Sequence, residues 1–173
     1  YYGKNEKDLN LAVAYEKIDR FFAKSDIKAY YTRKDDTFME LKDRAAFAGK
    51  VGADMFVSVH MNALPSNKSI YGTSVYYSSS NKTKMNSVMT SSKMAGVFQY
   101  DLTTELGMND RSKKDSAFYV CKNNVVPAVL IELGFMTNKS EFDKLASDDF
   151  QLAAAQNIFG SIEYIFNTYG TGR

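Results

Sequence analysis

The stretch "DMFVSVHMNA", residues 54–63, decides how this chain is read. "MFVSV" is a short, valine-rich apolar run of the kind buried in a parallel sheet, and it ends on His60, the single histidine among 173 residues. Just upstream, "TFMELKDRAAFAGKVGAD" spaces Leu41, Ala45 and Ala48 for the inner face of a helix, with Gly52 near its end. Before that, "IKAYYTR" reads as a strand over 27–33. Strand, helix and strand in this order predict a crossover unit and a largely parallel sheet.

The flanking segments extend the pattern. "NEKDLNLAVAYEKIDRFFAKSD" places Leu11, Ala14, Ile18 and Phe21 or Phe22 on one helical face. Asn5 is its candidate N-cap, with Glu6 and Asp8 in the first turn, where the helix dipole favours carboxylates. "GTSVYYSS" reads as a strand, and a helix is predicted from about residue 86 to 105, stopped by Gly107. The methionines there read as core filler. "AFYVCKNN" and "PAVLIELGF" read as two further strands, with Pro127 opening the second. A last helix carries Leu152, Ala155, Ile158 or Phe159, Ile162 and Phe166 as its apolar stripe, with Ser147 and Asp148 as candidate caps. With no internal repeat and no linker, the expectation is a single α/β domain over 1–173, a mostly parallel twisted sheet with helices on both faces.

Composition narrows the chemistry. Apolar residues make up 45% of the chain and charged residues 24%, as in ordinary globular domains. A net charge of +2 lacks the basic patch of a nucleic-acid binder, so no nucleic-acid partner is expected. The longest apolar runs are too short for a membrane span, and no signal peptide is visible. The lone Cys121 excludes an internal disulfide or a multi-cysteine zinc site, and it reads as a buried, inert thiol rather than a nucleophile.

Two polar groups stand where open α/β sheets bind ligands, beyond the carboxyl ends of strands. His60 ends "MFVSVH", and Glu132 interrupts "AVLIELGF". A glutamate inside an apolar strand is costly unless it is paired, metal-bound or at the rim of a cavity. Each has a plain structural alternative: a satisfied ion pair for Glu132, a hydrogen-bonded core imidazole for His60.

Three blocks, "EKDLNLAVA", "RAAFAGKVGADMFVSVHMNA" and "VVPAVLIELGFMTNKSEFDKL", resemble the signature blocks of the zinc-dependent N-acetylmuramoyl-L-alanine amidases, in the same order and over nearly the whole chain. That family hydrolyses peptidoglycan at the bond between muramic acid and the stem peptide. The resemblance implies that Glu6 and His60 bind the metal, and that Glu132 is the catalytic glutamate acting on the attacking water. It implies that Asn62 shapes the substrate site. Arg111, in "NDRSKKDSAFYV", resembles a basic position facing the substrate, with a solvated surface charge as the alternative. The cofactor implied is one Zn2+, the partner peptidoglycan, and the location extracellular or at the cell wall.

One departure stands out. The family's pattern opens earlier, with a strand ending in a histidine that supplies the third zinc ligand. This chain begins at "YYGKNEKD", and His60 is its sole histidine. The expectation is therefore an N-terminally incomplete amidase domain whose third protein ligand is not present in this chain, weakened in activity and stability. The alternative is a non-catalytic relative that binds peptidoglycan or a partner protein.

Overall fold

A computed structural model describes residues 1–171 of the chain. The chain opens with α1 (Glu6–Leu11), a π-helical stretch (Ala12–Lys17) and α2 (Asp19–Phe22), then α3 (Leu41–Val51) and β1 (Phe56–Asn62). β2 (Ser74–Tyr77) leads to a hairpin of β3 (Lys84–Met85) and β4 (Met89–Thr90) and into α4 (Ser91–Thr104). β5 (Lys114–Asp115), α5 (Tyr119–Lys122), β6 (Ala128–Phe135), α6 (Lys139–Leu145) and α7 (Asp148–Tyr169) complete it.

The sheet runs β1–β6–β2–β5. β1 and β6 are parallel, β2 and β5 are parallel, and β2 meets β6 antiparallel. β6 lies inside and is buried along its length except at Glu132, which is why it reads as an almost unbroken apolar run. On one face, Val59, Met61, Val75, Val129, Ile131 and Leu133 pack against Leu9, Val13, Phe98, Ile158 and Ile162 of the helices. Burying each of the larger of these side chains contributes about 1.5–3 kcal/mol. On the other face a smaller cluster joins Val120 and Cys121 of α5 to Leu130, Phe56 and Tyr76. Helices thus cover both faces, as expected.

Several elements match the sequence reading. α3 ends on Gly52 in the left-handed conformation, α7 starts at Ser147 with its hydroxyl accepting from the Phe150 amide, and Met85, Met89 and Met94 are buried. Cys121 is buried, and burial pushes its thiol up to about 12, an inert state at neutral pH.

Others do not. Residues 27–33 form no strand, although they run alongside β1 across a cleft; a strand is defined by its ladder, and this segment has none. "AFYVCKNN" is not a strand either: its aromatic and β-branched residues give strand propensity, but a turn of helix, α5, buries Val120 and Cys121 together. The helix expected from residue 86 begins at Ser91, because Asn86 and Ser87 take positive φ in the β3–β4 turn. In the first helix the π turn inserts a residue and shifts the inward face to Leu9, Val13 and Ile18, leaving Leu11 half-buried. Leu41, expected to face inward on α3, is exposed.

Candidate active site at the carboxyl ends of the parallel strands

Side chains alternate along a strand, so register decides which groups share a face. His60 of β1 and Glu132 of β6 sit opposite one another in the parallel pair. Ser74 of β2 lies opposite Glu132, Tyr76 opposite Leu130, and Lys114 of β5 opposite Tyr76. One sheet face therefore carries His60, Glu132 and Ser74 on one level and Tyr76 and Lys114 on the next, where Tyr76 also packs against α5.

α1 delivers the next group. Glu6 is its first residue, behind the N-cap Asn5, whose side chain bonds Asp8 rather than a helix amide. The Glu6 carboxylate Oε1 accepts from His60 Nδ1 at 2.9 Å, from Asn10 Nδ2 at 3.0 Å and from the Met61 amide at 3.4 Å. With Nδ1 donating, His60 Nε2 accepts from the Ser58 hydroxyl at 3.2 Å. Burial alone would raise the Glu6 carboxyl; the bonds from His60 and Asn10, the imidazole's charge and the Met61 amide together hold it below its ordinary value.

Glu132 has a different environment. One carboxylate oxygen, Oε2, is buried without a hydrogen-bond partner. Burial, opposed by the charge of His60 and reinforced by that of Glu6, pushes this carboxyl up to about 7. The strand below is held firmly, since Thr73 Oγ1 donates to the Glu132 carbonyl at 2.8 Å. A carboxyl with a free oxygen and a near-neutral pKa can take up and release a proton at neutral pH.

Asn62 lies just past a register shift in the β1–β6 pair. Its carbonyl accepts from the Met136 amide at 2.7 Å and its Oδ1 from the Ala63 amide at 2.8 Å, so it braces the turn that leaves β1. Arg111 sits ahead of β5, its amide bonded to the Thr73 carbonyl at 3.0 Å and its guanidinium 5.5 Å from the Phe135 ring centre. The Arg111 Nε is buried without a partner.

Sequence reasoning missed a clamp beneath these groups. Asn138 caps α6 and accepts from the Glu141 amide at 3.1 Å. The Glu141 carboxylate does not return to the cap; it accepts from the Phe135 amide at 2.6 Å and the Gly72 amide at 2.8 Å, tying the end of β6 to the loop before β2. Two glycines make room. A Cβ on Gly134 would stand 2.7 Å from the Glu141 carboxyl carbon, and one on Gly72, at φ +107, would stand 2.5 Å from the Asn109 carbonyl. The Asn138-x-x-Glu141 spacing was the available signal.

Glu6 and His60 offer a carboxylate and an imidazole, donor types of which a catalytic zinc site takes about three. Two such donors at tetrahedral geometry stand roughly 3.3 Å apart, and Glu6 and His60, at 2.9 Å, fit a shared cation after a small opening. Among the described residues no third His, Cys, Asp or Glu joins them.

A family model described as N-acetylmuramoyl-L-alanine amidase matches residues 1–164. The chain belongs to the N-acetylmuramoyl-L-alanine amidase family. It is 36% identical over 165 residues to the uncharacterized protein YqiI of Bacillus subtilis strain 168, covering 95% of this chain and 76% of that protein. It is 34% identical over 163 residues to the N-acetylmuramoyl-L-alanine amidase LytC of the same strain, covering 94% of this chain but 32% of LytC. The crystal structure of an N-acetylmuramoyl-L-alanine amidase from Clostridium difficile 630 superposes with a TM-score of 0.87 at 31% identity, covering 96% of this chain and 87% of that one. The amidase fold and the amide-hydrolysing reaction class follow from this membership. None of the helices among the described residues is long and apolar enough to cross a membrane.

Proposed function

We propose that this amidase hydrolyses peptidoglycan at the amide between N-acetylmuramic acid and L-alanine, with Glu132 as its catalytic residue and zinc held by Glu6 and His60. The supporting observation is the shared rung of His60 and Glu132, with Glu6 bonded to His60 and one Glu132 oxygen unpartnered. Zinc, when bound, supplies a Lewis acid for the scissile carbonyl and lowers the pKa of water. Glu132 accepts a proton from the water that attacks the carbonyl carbon. As the carbon–nitrogen bond breaks, it returns that proton to the departing alanine nitrogen. Asn62 and Arg111 contact the substrate: the Asn62 amino group donates to no group among the described residues, and the Arg111 guanidinium faces no ion-pair partner there. The place of action is the cell wall, where that substrate is.

The test is release of free amino-terminal alanine from purified cell walls with zinc supplied, together with zinc stoichiometry after dialysis. Alanine release is the expected result, and zinc bound by the chain is lost in His60→Ala. Walls digested without new alanine amino termini would overturn the assignment of the bond.

A further inference from the structure

The open sheet face carries a cationic pair that the amide chemistry does not use. Lys114 stands opposite Tyr76 in the β2–β5 pair, its ammonium 5.6 Å from the Tyr76 ring centre, and the Arg111 guanidinium covers Phe135 at 5.5 Å. Neither makes an ion pair among the described residues. Of the nearby acids, Glu132 keeps its oxygen for the amide chemistry and the others are engaged elsewhere. Asp110 accepts from Gln99 Nε2 and the Ser112 amide, both at 2.7 Å, and Asp115 accepts from the Ser79 amide at 2.9 Å. Glu141 is held by the Gly72 and Phe135 amides.

Both cations are half-buried, and the Arg111 Nε is fully buried without a partner. Solvated surface charges have no such cost; two cations brought together partly out of water do, and the carboxylates near them, Glu141 and Glu132, make no ion pair with either. Burial, with the charge of Arg111 adding to it, lowers the Lys114 ammonium below its ordinary value. The Tyr76 hydroxyl feels, besides its own burial, the charges of both Glu132 and Arg111, which puts the three in one constellation. β5 lies two strand spacings from β6, about 10 Å across the face.

We infer that Lys114, with Tyr76 beneath it, and Arg111 form a subsite for a free carboxylate of the stem peptide next to the scissile amide. The inference rests on the amidase reading. The muramic acid carboxyl is itself consumed in that amide, so the anion that reaches a cationic pair beside Glu132 comes from the peptide side. An aromatic ring under each cation leaves its outer side to the ligand, where an ammonium or guanidinium binds a carboxylate through charge-assisted hydrogen bonds.

The experiment is calorimetric titration of the chelator-treated chain, in which binding is read without turnover. The two ligands are N-acetylmuramoyl-L-alanyl-D-glutamate and its D-isoglutamine counterpart, which differ only in one carboxylate. The free acid should bind about tenfold more tightly. Lys114→Met, which keeps the stem over Tyr76, should abolish that preference while leaving the amide's Kd unchanged, and Lys114→Arg should retain it. Equal binding of the two ligands, or a Lys114→Met chain that loses affinity for both alike, overturns the subsite and leaves the amidase reading standing. Failure of the unsubstituted chain to bind either ligand overturns the subsite, while the amidase reading stands or falls on alanine release from walls. Inorganic phosphate is the third probe: Lys114-dependent phosphate binding with no preference between the two muropeptides would give the pair to a wall phosphate polymer and overturn the peptide assignment.

Discussion

His60 and Glu132 occupy one rung of the parallel β1–β6 pair, and the two side chains are treated in opposite ways. His60 is bonded at both ring nitrogens, by Glu6 and Ser58, while Glu132 keeps a buried oxygen with no partner. The fixed group suits metal binding and the unfixed one proton transfer. With zinc supplied, Glu132→Gln should lower alanine release from cell walls by about 10²–10⁴-fold. Unchanged wall binding in a sedimentation assay would show that the loss is chemical.

The same carboxyl should mark the pH dependence of stability. Its ordinary value of 4.5 is raised to about 7 in the folded chain, by burial first. The folded state therefore holds a proton that the unfolded state releases. This group's contribution to stability is complete below pH 4.5, falls between 4.5 and 7, and is then flat. The loss is about 3 kcal/mol. Urea unfolding of the metal-free chain at pH 4.5 and pH 8 should show it, and Glu132→Gln should remove that part of the difference.

Asn10 should matter for metal affinity without touching the metal. Its amide holds the Glu6 oxygen that faces His60. Removing such an outer partner costs about 10–100-fold in affinity. Asn10→Ala should therefore weaken zinc binding in competition with a chromophoric chelator, while the melting temperature stays close to that of the parent.

Gly134→Ala should be destabilising by about 1–3 kcal/mol, the cost of overpacking, because its new methyl lands 2.7 Å from the Glu141 carboxyl carbon. Glu141→Ala alone leaves the Phe135 and Gly72 amides without their acceptor. The double variant should lose less stability than the two single losses added, since the methyl then has room. Denaturant midpoints of the four chains measure this.

What the sequence made legible was whatever depends on one segment. The apolar run around Glu132 identified β6, the valines before His60 identified β1, and a serine cap identified the start of α7. What it hid depends on partners. Residues 27–33 have strand-like composition but form no ladder with β1 across the cleft, and residues 117–124 have strand propensity but are drawn into a helical turn by burial of Val120 and Cys121. The site divides the same way. Glu6, His60 and Glu132 carry recognisable local motifs. Lys114 and Tyr76 become neighbours only through the order β6–β2–β5, and Glu141 reaches Gly72 across 69 positions of chain.

The Glu6–His60 bond spans 54 positions, and this sets when the site comes into being. α7 can form from contacts within 22 residues, but the donor pair must wait for a long loop to close and for β1 to find β6. Proteolytic cleavage at the exposed residues 34–38 would sever the covalent tie between Glu6 and His60, so the contact between these two reports the integrity of this fold more sharply than its helical content does.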